Sequence, residues 1–365
     1  MQISNLNELK RLGEMSDLDS VRISVGQLRY HGVLRIALRR ALHALKLGGE
    51  IVLADFRDAR QGIEPFRFPD PTVRSLAITS LHGEAENLGF SDRVMRFRRT
   101  APIAGPGWSA GIVFSGSEDE LPRLKRCLDS LKAQPELVGA QGEIVVCGPE
   151  AARGMLADDT AVRYLSFEAL AGQPFPISRK KNHLLAHMRF PRRLVLHTRI
   201  SLAPDTLRHA PREFDILGLD IRNPFDDGTS EPGIGYVAID AQWPELAPSR
   251  FSRTTRHVAP GEHLRMLRHR LPYVDGGAFL VMDKVSARCP LHDGLHWAEA
   301  EDVEWCFRAQ ALGYSIDMAP SVVGYSERHK ARRMASVPAF VIRPVQAVLR
   351  AGRWLSNAIS MLRHR

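Results

Sequence analysis

The chain has 365 residues, of which 44% are hydrophobic, and its formal net charge at pH 7 is +9. All of that excess lies after Glu327, where nine of the 50 basic residues and none of the 41 acidic residues occur, so the rest of the chain is balanced at 41 of each. A basic surface over the whole protein is therefore excluded, and no nucleic-acid partner is expected.

Two further features of the composition bear on the cellular compartment. Residues 1–5 show no basic region followed by an apolar run, and no apolar stretch reaches eighteen residues, so neither a signal peptide nor a spanning helix is expected. The four cysteines have neither metal-finger nor redox spacing and are expected to be reduced and buried; they are Cys127, Cys147, Cys289 and Cys306. These features predict a folded cytoplasmic protein.

The first hundred residues are predicted to form a small α/β unit. Apolar residues recur at helical spacing from Leu34 to Leu45, and residues 50–56 have the pattern of a strand. We interpret 84–90 as the end of a second helix and 94–98 as a final strand. Residues 101–107 are rich in glycine, proline and alanine, which predicts a linker and a domain boundary.

This amino-terminal unit resembles the carboxyl-terminal half of a class I S-adenosylmethionine-dependent methyltransferase. The resemblance rests on two turns, Leu47-Gly48-Gly49 and Leu88-Gly89-Phe90, and covers about 15–100. The glycine-rich loop and the acidic residue that contact the cofactor in that family have no counterpart here. The resemblance therefore implies a truncated module, 1–100, that packs or docks and has no S-adenosylmethionine site.

Strands alternate with helices in the next part of the chain. Residues 108–115, 143–147 and 193–197 are predicted as strands, and apolar residues from Leu121 to Leu131 lie on one helical face. This alternation indicates a parallel sheet with crossover helices. Ligands of such sheets bind beyond the carboxyl ends of the strands. The residues at those ends are Ser115, Gly148 and His197.

A pair of carboxylates, Glu301 and Asp302, opens a predicted helix, in a stretch that begins at Trp297, about twenty residues after the glycine pair Gly276-Gly277. A helix N-terminus favours the ionised carboxylate, and a positioned carboxylate can take a proton from a hydroxyl. Acidic residues are also common in the first turn of any helix, so the pair alone does not establish a general base.

Six segments in order resemble the GT-A fold of inverting, family 2-like glycosyltransferases over about 108–330. They are 112–134, 143–150, Arg179-Lys180-Lys181-Asn182, 194–202, Asp275-Gly276-Gly277-Ala278-Phe279-Leu280, and Glu301-Asp302 to Gly313-Tyr314. The resemblance implies that Asp302 is the base with Glu301 as its neighbour, that Gly276 and Gly277 form the turn where donor and acceptor meet, and that Lys181 and Asn182 lie near the nucleotide. Trp305, next to the carboxylates, is predicted to bind the acceptor.

The chain departs from that family at the usual metal site. The family's Asp-x-Asp, which would hold Mg or Mn, is replaced by His197-Thr198-Arg199. One hypothesis is that Arg199 supplies the positive charge, since a guanidinium binds phosphate oxygens in a bidentate manner. Another is that His197 and His329 hold a divalent metal. A third is that catalysis has been lost.

The carboxyl-terminal residues 331–365 are predicted to form a basic amphipathic helix. Pro344 can open a helix, and apolar residues then recur near helical spacing, with Trp354 beside them. Apolar, aromatic and arginine side chains together suit a helix that lies on an anionic membrane surface. The alternative is a helix packed on the body of the protein.

The sequence as a whole therefore predicts an α/β protein with a GT-A domain, a small amino-terminal α/β module and a carboxyl-terminal helix. The expected function is glycosyl transfer from a nucleotide sugar to a saccharide or lipid-linked acceptor, in surface polysaccharide assembly at the inner face of the membrane. An inactive GT-A scaffold is the alternative, and a methyltransferase is disfavoured by the missing cofactor loop.

Overall fold

The structure is a computed structural model, and it describes residues 1–26, 28, 30–56, 70–169, 174–240, 255–258, 262–267 and 270–327. His329 and the predicted helix within 331–365 lie outside the described residues. In the described part of the chain, no helix combines the length and the apolar character needed to cross a membrane.

Among the first hundred residues, those that the structure describes form a five-stranded sheet with three helices. Its elements are β1 (Gln2–Ile3), α1 (Leu6–Leu12), β2 (Leu18–Ser24), α2 (His31–Ala44), β3 (Leu45–Ala54), α3 (Asp70–Leu81), β4 (Ala85–Ser91) and β5 (Val94–Arg99). The strand order is β1-β2-β3-β5-β4; the first three strands are parallel, and β5 is antiparallel to both of its neighbours.

The interpretation of 84–90 as the end of a helix was wrong, because β4 occupies these residues. The strand lies at the sheet edge and buries none of its residues completely, so it has no apolar face to produce an alternating pattern. Asp92 and Arg93, both with positive φ, make the two-residue turn that joins β4 to β5. Two such residues form the hairpin turn whose twist matches that of the flanking strands.

The remaining described residues build a larger sheet, a three-stranded sheet and several helices. The first elements are β6 (Trp108–Val113), α4 (Leu121–Lys132), β7 (Gly142–Gly148), β8 (Val162–Ser166), α5 (Ile177–His187), β9 (Arg192–His197) and β10 (Ile200–Leu202). They are followed by β11 (Ile216–Pro224), β12 (Ser230–Pro232), β13 (Tyr236–Asp240), β14 (Thr255–His257), α6 (His263–Met266), β15 (Arg270–Val274), β16 (Ala278–Met282), α7 (Asp283–Arg288), α8 (Glu301–Ala311) and β17 (Ile316–Ser326). Short 3-10 helices cover Glu118–Glu120, Pro135–Leu137, Glu150–Leu156 and Leu207–His209.

The larger sheet determines where the ends of its strands meet. Its order is β10-β17-β11-β16-β9-β6-β7-β8, with β12 paired to β11. Strands β6, β7, β8 and β9 are parallel, whereas β16 is antiparallel to β9. The carboxyl ends of β6, β7 and β9 therefore share one edge, and the turn that precedes β16 reaches the same edge. The mixed α/β fold predicted from the sequence is confirmed, and all four cysteines are free and buried as expected.

Buried ion pairs join the amino-terminal unit to the larger sheet. Arg39 on α2 donates to both carboxylate oxygens of Asp215, at 2.6 and 2.8 Å. Arg40 does the same to Asp317 at 2.7 and 3.0 Å. Burial alone would raise the pKa of Asp215, but the attraction of Arg39 outweighs it and holds the pKa well below its usual range. The module is therefore packed against the larger sheet by its second helix.

The predicted linker, 101–107, contains neither helix nor strand. Glu213, just before β11, holds this segment by accepting from the backbone N–H of Ala104 at 3.0 Å and from Arg99 at 2.6 Å. The chain between the two sheets is thus fastened to the second of them. Its division into separate domains stays a prediction.

Candidate functional site

Two consecutive glycines lie at the centre of the shared sheet edge. The carbonyl oxygen of Gly277 accepts from the backbone N–H of His197 at 2.9 Å, which ties the turn before β16 to the end of β9. A Cβ atom on Gly276 would lie 2.9 Å from Lys181 Nζ and 2.9 Å from Glu301 Oε1. A Cβ atom on Gly277 would lie 2.5 Å from a guanidinium nitrogen of Arg199. A side chain at either position would therefore displace the charged groups that pack directly against this backbone.

Asp302 is held against the first of these glycines. The backbone N–H of Gly276 donates to Oδ2 of Asp302 at 2.8 Å, and the N–H of Val303 donates to Oδ1 at 2.9 Å. Burial of the carboxylate, followed by repulsion from Glu301 and Asp275, raises its pKa to about 6. These effects outweigh the helix N-terminus, which favours the ionised form. Asp302 can therefore exchange a proton close to neutral pH.

Glu301 and Lys181 form a buried ion pair beneath the same turn. Lys181 Nζ lies 2.9 Å from Glu301 Oε1, and the lysine side chain is fully buried. Lys181 also lies over the ring of Phe279, with 5.8 Å between Nζ and the ring centroid. The sequence predicted that Lys181 lies near the donor nucleotide. In the structure its ammonium group contacts Glu301, and the nucleotide contact stays a prediction.

Arg199 occupies the region where the metal-binding acids were expected. Its Nη1 donates to Nδ1 of His197 at 2.7 Å, and its Nη2 lies 3.8 Å from Oδ2 of Asp275. Since a guanidinium can only donate, Nδ1 accepts, and the neutral imidazole carries its proton on Nε2. Nδ1 of His197 is thus already used. Among the described residues, no three His, Cys, Asp or Glu side chains lie close enough together to hold a metal ion, so these residues by themselves do not fit a divalent metal.

A cavity of about 630 Å³ opens beside this cluster. Its walls include Ser115 after β6, His197 at the end of β9, Arg199 just beyond it, Arg123 on α4, and Trp297 in the segment before α8. Asp302 does not line this cavity. It is connected to the cavity wall through the turn, since Gly276 contacts Asp302 and Gly277 packs against Arg199.

Trp297 provides the aromatic face of the cavity. Its side chain is 47% exposed and stacks on the His197 ring, with 5.4 Å between ring centroids and 29° between planes. Ala298 and Ala300, which follow it, have φ of 72° and 58°, in the left-handed region that alanine rarely adopts. The chain thereby turns sharply between Trp297 and the start of α8.

Trp305 does not have the exposed position that an acceptor-binding residue needs. Its side chain is 1% exposed, its Nε1 donates to the carbonyl oxygen of Cys289 at 2.7 Å, and its ring packs on Phe279. Trp305 lies four residues after Glu301 on the buried face of α8. This prediction is therefore corrected. Of the two tryptophans near the carboxylates, Trp297 faces the cavity and Trp305 belongs to the core.

Two further predicted residues, Ser115 and Gly148, lie in different surroundings. Ser115 lines the cavity, and its hydroxyl donates to Glu120 at 2.7 Å. Gly148 is buried, and a Cβ atom there would lie 2.4 Å from the Tyr164 hydroxyl, so its role is close packing.

Asn182, which was predicted to lie near the nucleotide, is held by hydrogen bonds to another loop, and its nucleotide contact stays a prediction. Its amide donates to the Leu291 carbonyl oxygen at 2.8 Å and to Asp293 at 2.7 Å, and accepts from the Leu291 N–H at 2.9 Å. These bonds fasten the loop after α7 to α5.

Several residues at the site were not among the sequence-predicted site residues, including Asp275, Trp297, Arg123 and Phe175. Asp275 belongs to the glycine-containing segment noted in the sequence and could have been found there. Arg123 and Phe175 line the cavity without a local sequence pattern that marks them. Their positions depend on how α4 and the start of α5 pack against the sheet.

No protein-family model matches this chain, and no curated protein matches it. Among solved structures, a crystal structure of GalNAc-T7 with UDP, GalNAc and Mn²⁺ is 13% identical and matches 63% of this chain and 45% of that chain, with a TM-score of 0.44. A structure of S. aureus TarS 1-349 with UDP-GlcNAc is 13% identical and matches 64% of this chain and 62% of that chain, with a TM-score of 0.36. This chain thus spans less than two thirds of each. Likeness at this level carries no argument about the site.

Proposed function

We propose that this protein is a glycosyltransferase that moves a sugar from a nucleotide-sugar donor to a hydroxyl of a saccharide or lipid-linked acceptor, with inversion. The observation that carries the proposal is the Asp302 carboxylate, which has a pKa of about 6 and is held against the Gly276 turn. A general base is most effective when its pKa lies near the working pH. The order of the sequence segments supports the same assignment.

The cavity proposed to hold the donor is lined by two arginines, Arg123 and Arg199, by two glutamates, Glu120 and Glu327, and by the ring of Trp297. Arg123 is paired with Glu327 at 3.2 Å, so Arg199 is the guanidinium proposed to meet the diphosphate. A guanidinium pairs well with diphosphate oxygens, and Arg199 is already oriented by His197 and Asp275. Ser115 and Thr198 complete the wall against which the donor would lie.

The proposed reaction is a single displacement. Asp302 takes the proton of the acceptor hydroxyl as that oxygen attacks the anomeric carbon of the donor sugar. The bond from this carbon to the diphosphate oxygen breaks, and the negative charge that develops on the diphosphate is stabilised by Arg199. Because the acceptor enters opposite the leaving group, the configuration at the anomeric carbon inverts.

The acceptor and the membrane contact are proposed from the sequence alone. The basic, periodic segment 331–365 would bring the protein to an anionic membrane surface, where a lipid-linked acceptor of polysaccharide assembly would be available. Removal of 335–365 should release the protein from anionic liposomes. It should leave transfer to a soluble acceptor intact.

A thermal-shift screen tests the donor site directly. Nucleoside diphosphates and nucleotide sugars are added to the purified chain with and without Mn²⁺. A ligand at 100 times its Kd stabilises the native state by about 2.7 kcal/mol. The donor that gives a shift is then incubated with saccharide acceptors, and transfer is measured. If the chain binds no nucleoside diphosphate, the enzyme proposal fails and the scaffold alternative replaces it.

A further inference from the structure

Lys181 and Glu301 belong to different helices and meet under the turn that holds the proposed base. Lys181 lies on α5 and Glu301 opens α8, and 2.9 Å separates Nζ from Oε1. The lysine side chain is fully buried and that of Glu301 is 11% exposed. Gly276 packs against both charged atoms and donates its N–H to Asp302. The ion pair and the base thus share one backbone contact.

The groups that face Asp302 come from four elements. Glu301 and Asp275 are acidic and raise its pKa, whereas Lys181 lowers it. Tyr273 on β15 and Cys306 on α8 also lie near Asp302, and burial raises the pKa of each well above neutrality, so both are uncharged there. Lys181 is thus the cation that acts on Asp302 and pairs with Glu301, whereas Asp275 lies 3.8 Å from Arg199.

We propose that Lys181 is a positioning residue for Asp302. By neutralising Glu301, it holds the Asp302 carboxylate in position and allows it to ionise. The inference rests on the proposed function, because Asp302 matters as a base only if the chain transfers a group to a hydroxyl. Without Lys181, the carboxylate of Glu301 would have no cation beside it and would repel the carboxylate of Asp302. Ionising two neighbouring buried carboxylates costs free energy, so the pKa of Asp302 would rise. The base would then stay protonated at the pH where it has to work.

The charge of Asp302 can be followed without any substrate. The protein is labelled with ¹³C at the aspartate carboxyl carbons, and the resonance of Asp302 is identified by its disappearance in Asp302→Asn. Its titration is compared in the wild type, Lys181→Met, Glu301→Gln and the double variant. The wild type should titrate near the pKa of about 6. Lys181→Met should move the midpoint up and Glu301→Gln should move it down, each by about one pH unit, with the double variant between them.

Lys180→Met is the matched control. Lys180 is adjacent in sequence and equally buried, but its Nζ donates to the carbonyl oxygen of Phe114, away from Asp302. This variant should lose stability without moving the Asp302 midpoint. A purely structural Lys181 would behave in the same way. An unchanged or lowered midpoint in Lys181→Met therefore overturns the proposal.

The test still gives an answer if Lys181→Met does not fold, or if the chain has no transferase activity. If Lys181→Met does not fold, Glu301→Gln and the double variant still differ only in the lysine, and the midpoint must be lower where the lysine is present. Since the titration needs no donor, it also separates this inference from the proposed function. A missing transferase activity with the expected midpoints would reject the function while retaining the Lys181 effect on Asp302.

Discussion

The backbone N–H of Gly276 donates a 2.8 Å hydrogen bond to Oδ2 of Asp302, and this contact joins the turn before β16 to the first turn of α8. The adjacent Gly277 packs against Arg199 on the cavity wall. One turn thus lies between the proposed base and the proposed diphosphate-binding guanidinium.

Asp302→Asn should abolish most of the transferase activity. Asparagine keeps the shape and can still accept from Gly276, but it cannot take the acceptor proton, so turnover should fall by about 10²–10⁴. Donor binding, measured by thermal shift, should survive. Glu304→Gln is the control on the same helix, because Glu304 pairs with Arg308 at 2.7 Å on a half-exposed face. Near-normal turnover in Asp302→Asn would remove this residue from the mechanism.

Stability should depend on pH through the same carboxylate. The pKa of Asp302 is raised from 3.8 to about 6 in the folded chain, so the native state binds the proton more tightly than the unfolded state between these values. Its contribution to stability is therefore present below about pH 4 and is lost as the pH rises through 6. At pH 7, Asp302→Asn should be more stable than the wild type by up to about 3 kcal/mol, given ~1.4 kcal/mol per pH unit.

Urea unfolding at pH 5 and pH 7 measures this effect. The difference between the wild type and Asp302→Asn should grow with pH, and Glu304→Gln should show no such growth. A wild type that is more stable than Asp302→Asn at pH 7 would contradict the raised pKa. The rate of transfer should follow the opposite trend, with activity increasing as Asp302 ionises near pH 6.

Arg199 should make activity resistant to chelators. Arg199→Ala should weaken binding of the nucleoside diphosphate found in the screen by about 10- to 100-fold, since hydrogen bonds to charged groups contribute ~1.5–3 kcal/mol. Arg199→Lys should recover only part of this affinity, because the planar guanidinium is lost. Arg208→Ala, at an exposed pair with Asp205, is the control. Loss of activity with chelator and recovery with Mn²⁺ would instead favour His197 as a metal ligand.

Substitution of Trp297 should weaken substrate binding, whereas substitution of Trp305 should destabilise the fold. Trp297→Ala should raise KM for a sugar substrate about tenfold, equivalent to ~1.4 kcal/mol, with little change in stability. Trp305→Ala should destabilise the fold by about 3–5 kcal/mol, because it removes a buried ring from the core. Urea unfolding and steady-state kinetics on both variants distinguish the roles. A stable Trp305→Ala with impaired acceptor binding would restore the original assignment of Trp305.

The junction between the two sheets should depend strongly on Arg39. Arg39→Met leaves Asp215 buried without its bidentate partner, and breaking one side of a buried ion pair costs about 3–5 kcal/mol. The control is Arg98→Met in the same amino-terminal sheet, whose exposed pair with Glu50 should contribute no more than about 1 kcal/mol. Equal unfolding midpoints for the two variants would show that the junction does not contribute to stability.

Much of the architecture could be predicted from local patterns. The helix α4 follows from the helical spacing of its apolar residues, and the strands β6, β7 and β9 follow from short apolar runs, because a central parallel strand is covered on both faces. The acidic first turn marks the start of the helix at Glu301. The edge strand β4 could not be found in this way, since it buries no face.

The tertiary structure alone decided which way each candidate side chain points. Lys181, Asn182 and Trp305 were predicted as site residues from their chemistry. The orientation of α5 and α8 places Lys181 in an ion pair, Asn182 in hydrogen bonds to a loop, and Trp305 in the core. The spacing of apolar residues predicts which face of a helix is buried, but it does not predict which residues that face contacts. The partners of Arg199 and the pKa of Asp302 likewise arise from residues distant in the chain, because burial and charge act through space.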